Sequence, residues 1–246
     1  MKKAVVILTL LLGAIGGRGQ QEQVIYKDKP LGYWVDQIAA GDYGAREAFE
    51  KLHCKAAPAV PRLVELLNAG TSKQREYAAH VLGKIGVASA LPPLVQRLAS
   101  PDRYDRHNAC GAILDITFAE TSVDFRGLGP AQRCTDPTTK PSQTLSPCIE
   151  PLINLLADND DNIVSCASVA LARMGPMPVK KLVASAQDVK VPVPIRAGAA
   201  RVLGKIGPAA IDALPALKAL VSVQAEDALI RGEAHAAILK IERRSE

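Results

Sequence analysis

Residues Ile195–Val221 read IRAGAARVLGKIGPAAIDALPALKALV, and most of the remaining chain is a set of variations on them. Arg196, Ala199, Ala200, Leu203 and Ile206 recur at the spacing of one helical face, which predicts an amphipathic helix whose paired alanines allow close backbone approach. Gly207 stands just past the last apolar position, where a residue free to turn left-handed ends a helix. Pro208 suits the start of a second helix because a first-turn N–H has no helical partner to lose. Ile211, Leu214, Leu217, Leu220 and Val221 then give that second helix its own apolar face. Two such short helices cannot bury both faces against each other, so the hairpin needs neighbours.

The neighbours are in the sequence. Arg75, Ala78, Ala79, Leu82, Ile85 and Gly86 restate the first helix, followed by ALPPLVQRL. Arg106, Ala109, Cys110, Ile113 and Ile116 do so again, with the second helix displaced to Cys148–Leu156. Val164 takes the arginine slot of a further unit, Arg231 opens a final single helix, and Gly44–Ala56 with APAVPRLVELL makes an imperfect first unit. The arginine slots at 75 and 106, 164 and 196, and 196 and 231 lie 31, 32 and 35 residues apart, a period that predicts an α-solenoid. The recurring R-x-x-A-A-x-x-L-G-x-I-G followed by A-L-P-x-L resembles the HEAT-like repeats named after the phycobilisome lyases. The resemblance covers about residues 31–242 apart from an interruption at 117–147. It implies an all-α, right-handed solenoid of about five hairpins with a terminal helix at each end. Proteins with such repeats include binding scaffolds, bilin lyases and metal-dependent hydroxylases. The hydroxylases use His-Glu pairs as iron ligands. Each of His53, His80, His107 and His235 is followed here by another residue, so that activity has no residues to carry it over.

Composition fits thin helical layers: 48% of residues are hydrophobic but only 4% are aromatic. The start, MKKAVVILTLLLGAIGGRGQ, has Lys2 and Lys3 before an apolar run and then small residues, the pattern of a secretory signal peptide ending near Gly19. Residues 20–30 read as an extended linker and 31–246 as the solenoid. Loss of the leader removes Lys2, Lys3 and Arg18 and lowers the net charge from +5 to +2. That disfavours a nucleic-acid partner, which requires clustered cations to displace counterions. Beyond the leader no segment reads as a membrane span.

Within the repeats, Tyr33, Trp34 and Ile38 read as an aromatic cap over the open end, and Asp42 as an N-cap. Lys84, Arg173, Lys205 and Lys240 fall in last turns of first helices, where a cation suits the helix dipole. Arg75, Arg106, Arg196 and Arg231 fall in first turns, where it does not, so compensation is expected from turn carbonyls or from Asp102, Asp160, Asp161, Glu226 and Asp227. Second helices align on Leu63, Leu94, Leu152, Leu182 and Leu217. Their polar positions, Arg62, Glu65, Gln96, Arg97, Asn154 and Lys181, are candidates for a partner-binding concave face.

The interruption Thr117–Pro147 is rich in Pro, Thr, Ser and Gly, and such insertions often supply specificity. Its Phe118 and Phe125 either pack the loop down or offer an apolar contact. Cys134 and Cys148 bracket its second half and are the expected disulfide, while Cys110 and Cys166 read as buried packing. Neither catalytic motif nor metal-ligand spacing is present, and no cofactor is implied. The sequence therefore points to an exported, periplasmic or extracellular, non-enzymatic scaffold for a protein partner. The alternatives are an enzyme or enzyme subunit of the bilin-lyase type, or a structural envelope component without a discrete ligand.

Overall fold

The computed structural model describes residues 24–121, 134, 140–222 and 227–242; the leader, Phe125 and Glu226 lie outside them. Helix α1 (Leu31–Ala39) precedes five hairpins: α2 (Arg46–Leu52) with α3 (Val60–Ala69), α4 (Ser72–Ile85) with α5 (Leu91–Arg97), α6 (Arg103–Thr121) with α7 (Pro141–Asn154), α8 (Asp161–Arg173) with α9 (Val179–Gln187), and α10 (Val193–Ile206) with α11 (Leu214–Ser222). Helix α12 (Ala228–Glu242) closes the array. First helices pack on first helices and second on second, giving the two layers of an all-α solenoid.

The repeat register survives in detail. Leu63, Leu94, Leu152, Leu182 and Leu217 are all 0% exposed, as are Ala78, Ala199 and Ala200. Gly86 and Gly207 end α4 and α10 with φ of +73° and +71°, as the helix-stop reading requires. Helix α4 starts with a reciprocal box: the Thr71 hydroxyl accepts from Gln74 N at 3.4 Å and the Gln74 side chain accepts from Thr71 N at 2.8 Å. Successive first helices come unusually close at two glycines. A Cβ on Gly83 would sit 2.9 Å from Ala112 Cα, and one on Gly204 2.8 Å from Ala237 Cα.

Three expectations need correction. Residues 24–30 are not wholly an extended linker: Ile25–Tyr26 (β1) pairs antiparallel with Lys29–Pro30 (β2) across a two-residue turn. Lys27 and Asp28 both have positive φ there, the twist that suits a tight hairpin. This hairpin joins the aromatic cap. Trp34 Nε1 donates to Tyr26 O at 3.2 Å, the two rings meet edge-on at 5.7 Å, and Leu31, Val35 and Ile38 are buried beneath.

The interruption is shorter than Thr117–Pro147 at both ends, because α6 runs on to Thr121 and α7 begins at Pro141. The Thr117 and Thr121 hydroxyls donate back to Ile113 O and Thr117 O at 2.8 Å, which suits them to the helix. Pro141 occupies the first turn of α7, where its missing N–H costs nothing. Phe118 is therefore helical, half-buried, with the Arg173 guanidinium 3.5 Å above its ring.

The disulfide joins Cys134 to Cys54, not to Cys148. Early onset of α7 puts Cys148 inside a helix with its side chain in the core, where burial pushes the thiol up to about 12. Cys54 instead sits in the turn between α2 and α3, and Cys134 lies beside the α4–α5 turn at Gly86. The bridge thus ties the insertion to the first two repeats. The Cys110 packing position is as expected, fully buried, while Cys166 is half-buried.

Candidate binding groove on the second-helix face

Arginines in the first turns of first helices set the spacing between repeats. Arg75 Nε donates to Asp105 at 2.7 Å and its Nη2 to Asp102 at 3.2 Å, while Nη1 donates to Gly70 O. Arg106 donates to both oxygens of Asp158, at 2.6 and 3.0 Å, and to Ser100 O and Pro101 O. Arg196, 5% exposed, donates to Ala186 O at 3.1 Å. So the carbonyls come from the preceding turn, as expected, but the carboxylates come from the following repeat. Of the expected acids Asp102 takes part. Asp160 instead caps α8 and faces Arg103 at 3.4 Å. The guanidinium raises no repulsion at the positive helix end because it is spent on these acceptors. Hydrogen bonding to Asp105 holds Arg75 above its ordinary range, and hydrogen bonding from Arg106 holds Asp158 below the usual carboxylate range.

On the other layer, the second helices leave an opening between α3 and α5. A groove of about 520 Å³ is lined by Ala57, Val60, Pro61, Val64, Asn68, Ser89, Pro92, Pro93 and Gln96. Its walls are aliphatic and proline side chains, with two amides, one hydroxyl and no charge. Pro61 and Pro92 hold equivalent places two residues before the aligned leucines Leu63 and Leu94. Proline belongs there because the first turn of α3 and of α5 needs no N–H, and its ring then stands on the outer face.

The residues expected to bind a partner separate into distinct roles. Gln96 is exposed and lines the groove. Glu65 and Asn154 are exposed on α3 and at the end of α7, outside it. Arg62 points towards α1, paired with Asp36 at 2.5 Å, and Lys181 on α9 pairs with Glu150 on α7 at 3.5 Å. Arg97 is only partly exposed, and its guanidinium is engaged between repeats. Its guanidinium donates to the carbonyls of Leu67 and Asn68 at the end of α3 and approaches Asp105 at 3.4 Å, so it caps one repeat from the next. Residues missed were the apolar wall and Asn68. The recurring outward prolines were their one signal, and a weak one, because the start of a helix already accounts for a proline there.

Among the described residues no group of three His, Cys, Asp or Glu is placed to hold a metal ion, and no helix is long and apolar enough to cross a membrane. The fold defines the class: an α-solenoid of helical hairpins. The chain matches no protein-family profile, and no curated protein matches it. Among solved structures it is similar to an engineered protein at 21% identity, covering 87% of this chain and 96% of that one with a TM-score of 0.47. A second engineered protein is 22% identical over 87% of this chain and 98% of that one, with a TM-score of 0.49. A designed armadillo repeat protein in complex with the peptide (KR)4 is 18% identical over 86% of this chain and 99% of that one, with a TM-score of 0.48.

Proposed function

We propose that this chain is an exported scaffold without catalytic activity of its own, which holds an extended segment of a partner protein along its second-helix face. The groove between α3 and α5 carries the reading. Its uncharged wall suits an apolar anchor side chain, and a charged one would lose hydration there without a partner. Asn68 and Gln96 each bring an amide that both donates and accepts, which is what the backbone of an extended segment needs. Nearby guanidinium groups are engaged with Asp36, Leu67 O and Asn68 O, which speaks against phosphate recognition at this place. Export is supported by the leader at residues 1–19 and by the Cys54–Cys134 bridge, since such bonds persist in oxidising compartments.

The test is capture of envelope proteins by the mature chain, with Val64→Asp and Gln96→Ala combined as the variant. Loss of an apolar anchor and a backbone bond should weaken capture at least about tenfold, equivalent to about 1.4 kcal/mol, with helix content unchanged. Equal capture by both proteins removes the groove from the function.

A further inference from the structure

Successive first helices meet at a fixed offset. Gly83, eight residues after Arg75, lies against Ala112, six residues after Arg106; Gly204, eight after Arg196, lies against Ala237, six after Arg231. One helical turn earlier, the same relation sets the fourth residue after one arginine slot against the second residue after the next. Between α6 and α8 those two positions are Cys110 and Cys166. The two positions face each other across α6 and α8, and hydrogen bonding of the Cys110 thiol to Cys166, with burial added, raises Cys110 well above the ordinary thiol range. Cys110 is fully buried and Cys166 half-buried, so a solvent-borne reagent reaches the pair through Cys166.

We propose that Cys110 and Cys166 are a dithiol that closes to a second disulfide, between α6 and α8, by exchange with a small-molecule disulfide such as oxidised glutathione. The Cys166 thiolate attacks one sulfur of the oxidised glutathione, forming a mixed disulfide and releasing one glutathione thiolate. That thiolate takes the proton of Cys110. The Cys110 sulfur then attacks Cys166 Sγ, forming the bridge and expelling the second glutathione. The protein loses two electrons and two protons, and one glutathione disulfide becomes two glutathione thiols. The assignment is independent of the groove. It also accounts for the odd cysteine: with Cys54 joined to Cys134, only Cys148 remains, buried in α7 where its thiol is inert.

The folded protein is equilibrated with oxidised glutathione, unfolded in acid, alkylated and weighed intact. The wild type should present one alkylatable thiol, Cys148, in place of the three free before oxidation. Cys148→Ala should present none. Cys110→Ala should accumulate a stable glutathione adduct on Cys166 while keeping its helix content, because the resolving sulfur is gone. Three alkylatable thiols in the oxidised wild type, or a lasting glutathione adduct on wild-type Cys166, would overturn the pairing.

Discussion

Arg106 of α6 holds both carboxylate oxygens of Asp158, a residue 52 positions further along the chain in the turn before α8. The side chains are 17% and 5% exposed, so each charge is largely withdrawn from water and depends on the other. Removing the arginine leaves a shielded carboxylate and two carbonyls, Ser100 O and Pro101 O, without their donor. Arg106→Ala should cost about 2–3 kcal/mol of stability by chemical denaturation. Arg103→Ala, on a pair exposed at 59% on the arginine side, should cost under about 1 kcal/mol. Equal losses would show that the ladder does not carry the repeat interface.

The same pair sets an acid limit. Asp158 is depressed chiefly by its hydrogen bond from Arg106, so its folded pKa lies below its unfolded value near 3.9. Its stabilisation is fully present above the unfolded value and is lost as pH falls through the folded one. Unfolding free energy should therefore drop below about pH 4 more steeply in the wild type than in Asp158→Asn, which starts lower and has no such proton to take up. Denaturation at a series of pH values from 7 to 2.5 measures the difference; parallel curves would contradict it.

Glycines on the first helices give a contrast in sign. Gly204→Ala drives a methyl to 2.8 Å from the Ala237 backbone, which cannot move without separating α10 from α12, so a loss of about 1–3 kcal/mol is expected. Gly111 lies in the interior of α6 with nothing within 4 Å of the position of a Cβ. Gly111→Ala should raise stability by about 0.5–1 kcal/mol through helix propensity. Thermal unfolding of the two variants reads both signs.

These glycines also mark the boundary of what the sequence discloses. The alignment of Leu63, Leu94, Leu152, Leu182 and Leu217 predicts burial from periodicity alone, because a solenoid repeats the same local environment. That Arg75 and Arg106 need partners follows from the helix dipole, but which carboxylates serve depends on how far one repeat turns past the next. Asp105 and Asp158 gave no local signal. The groove is legible only in part for the same reason: its prolines recur, yet its width depends on how α3 comes to lie beside α5. Cys134 has two partners at plausible sequence distance, and the near one is removed only because α7 starts at Pro141.

Reduction of the Cys54–Cys134 bridge should be costly. The two cysteines are 80 residues apart, and closing such a loop is worth about 4.5 kcal/mol in the chain-entropy model. Cys54→Ser should lower the denaturation midpoint substantially, and added reductant should lower the wild type to match while leaving the variant nearly unchanged. A wild type indifferent to reductant would mean that the insertion is held by other contacts.

Gln96 and Arg97 are neighbours on α5 and were indistinguishable as surface polar residues, yet the structure sets them opposite tasks. Gln96 is exposed at the groove, so Gln96→Ala should leave the denaturation midpoint within about 0.5 kcal/mol of wild type and weaken partner capture. Arg97 fills the acceptors at the end of α3 and reaches Asp105, which Arg75 also holds. Arg97→Ala should cost about 1.5–3 kcal/mol, the range for hydrogen bonds from a charged group. Its capture should return when the experiment is run far below the melting temperature, because the groove wall is intact. Arg97→Lys restores the charge but not the fork that reaches two carbonyls at once, and should recover less than half of the loss. Capture that fails in Arg97→Ala at full helix content would put the guanidinium in the binding surface, where the sequence first suggested it.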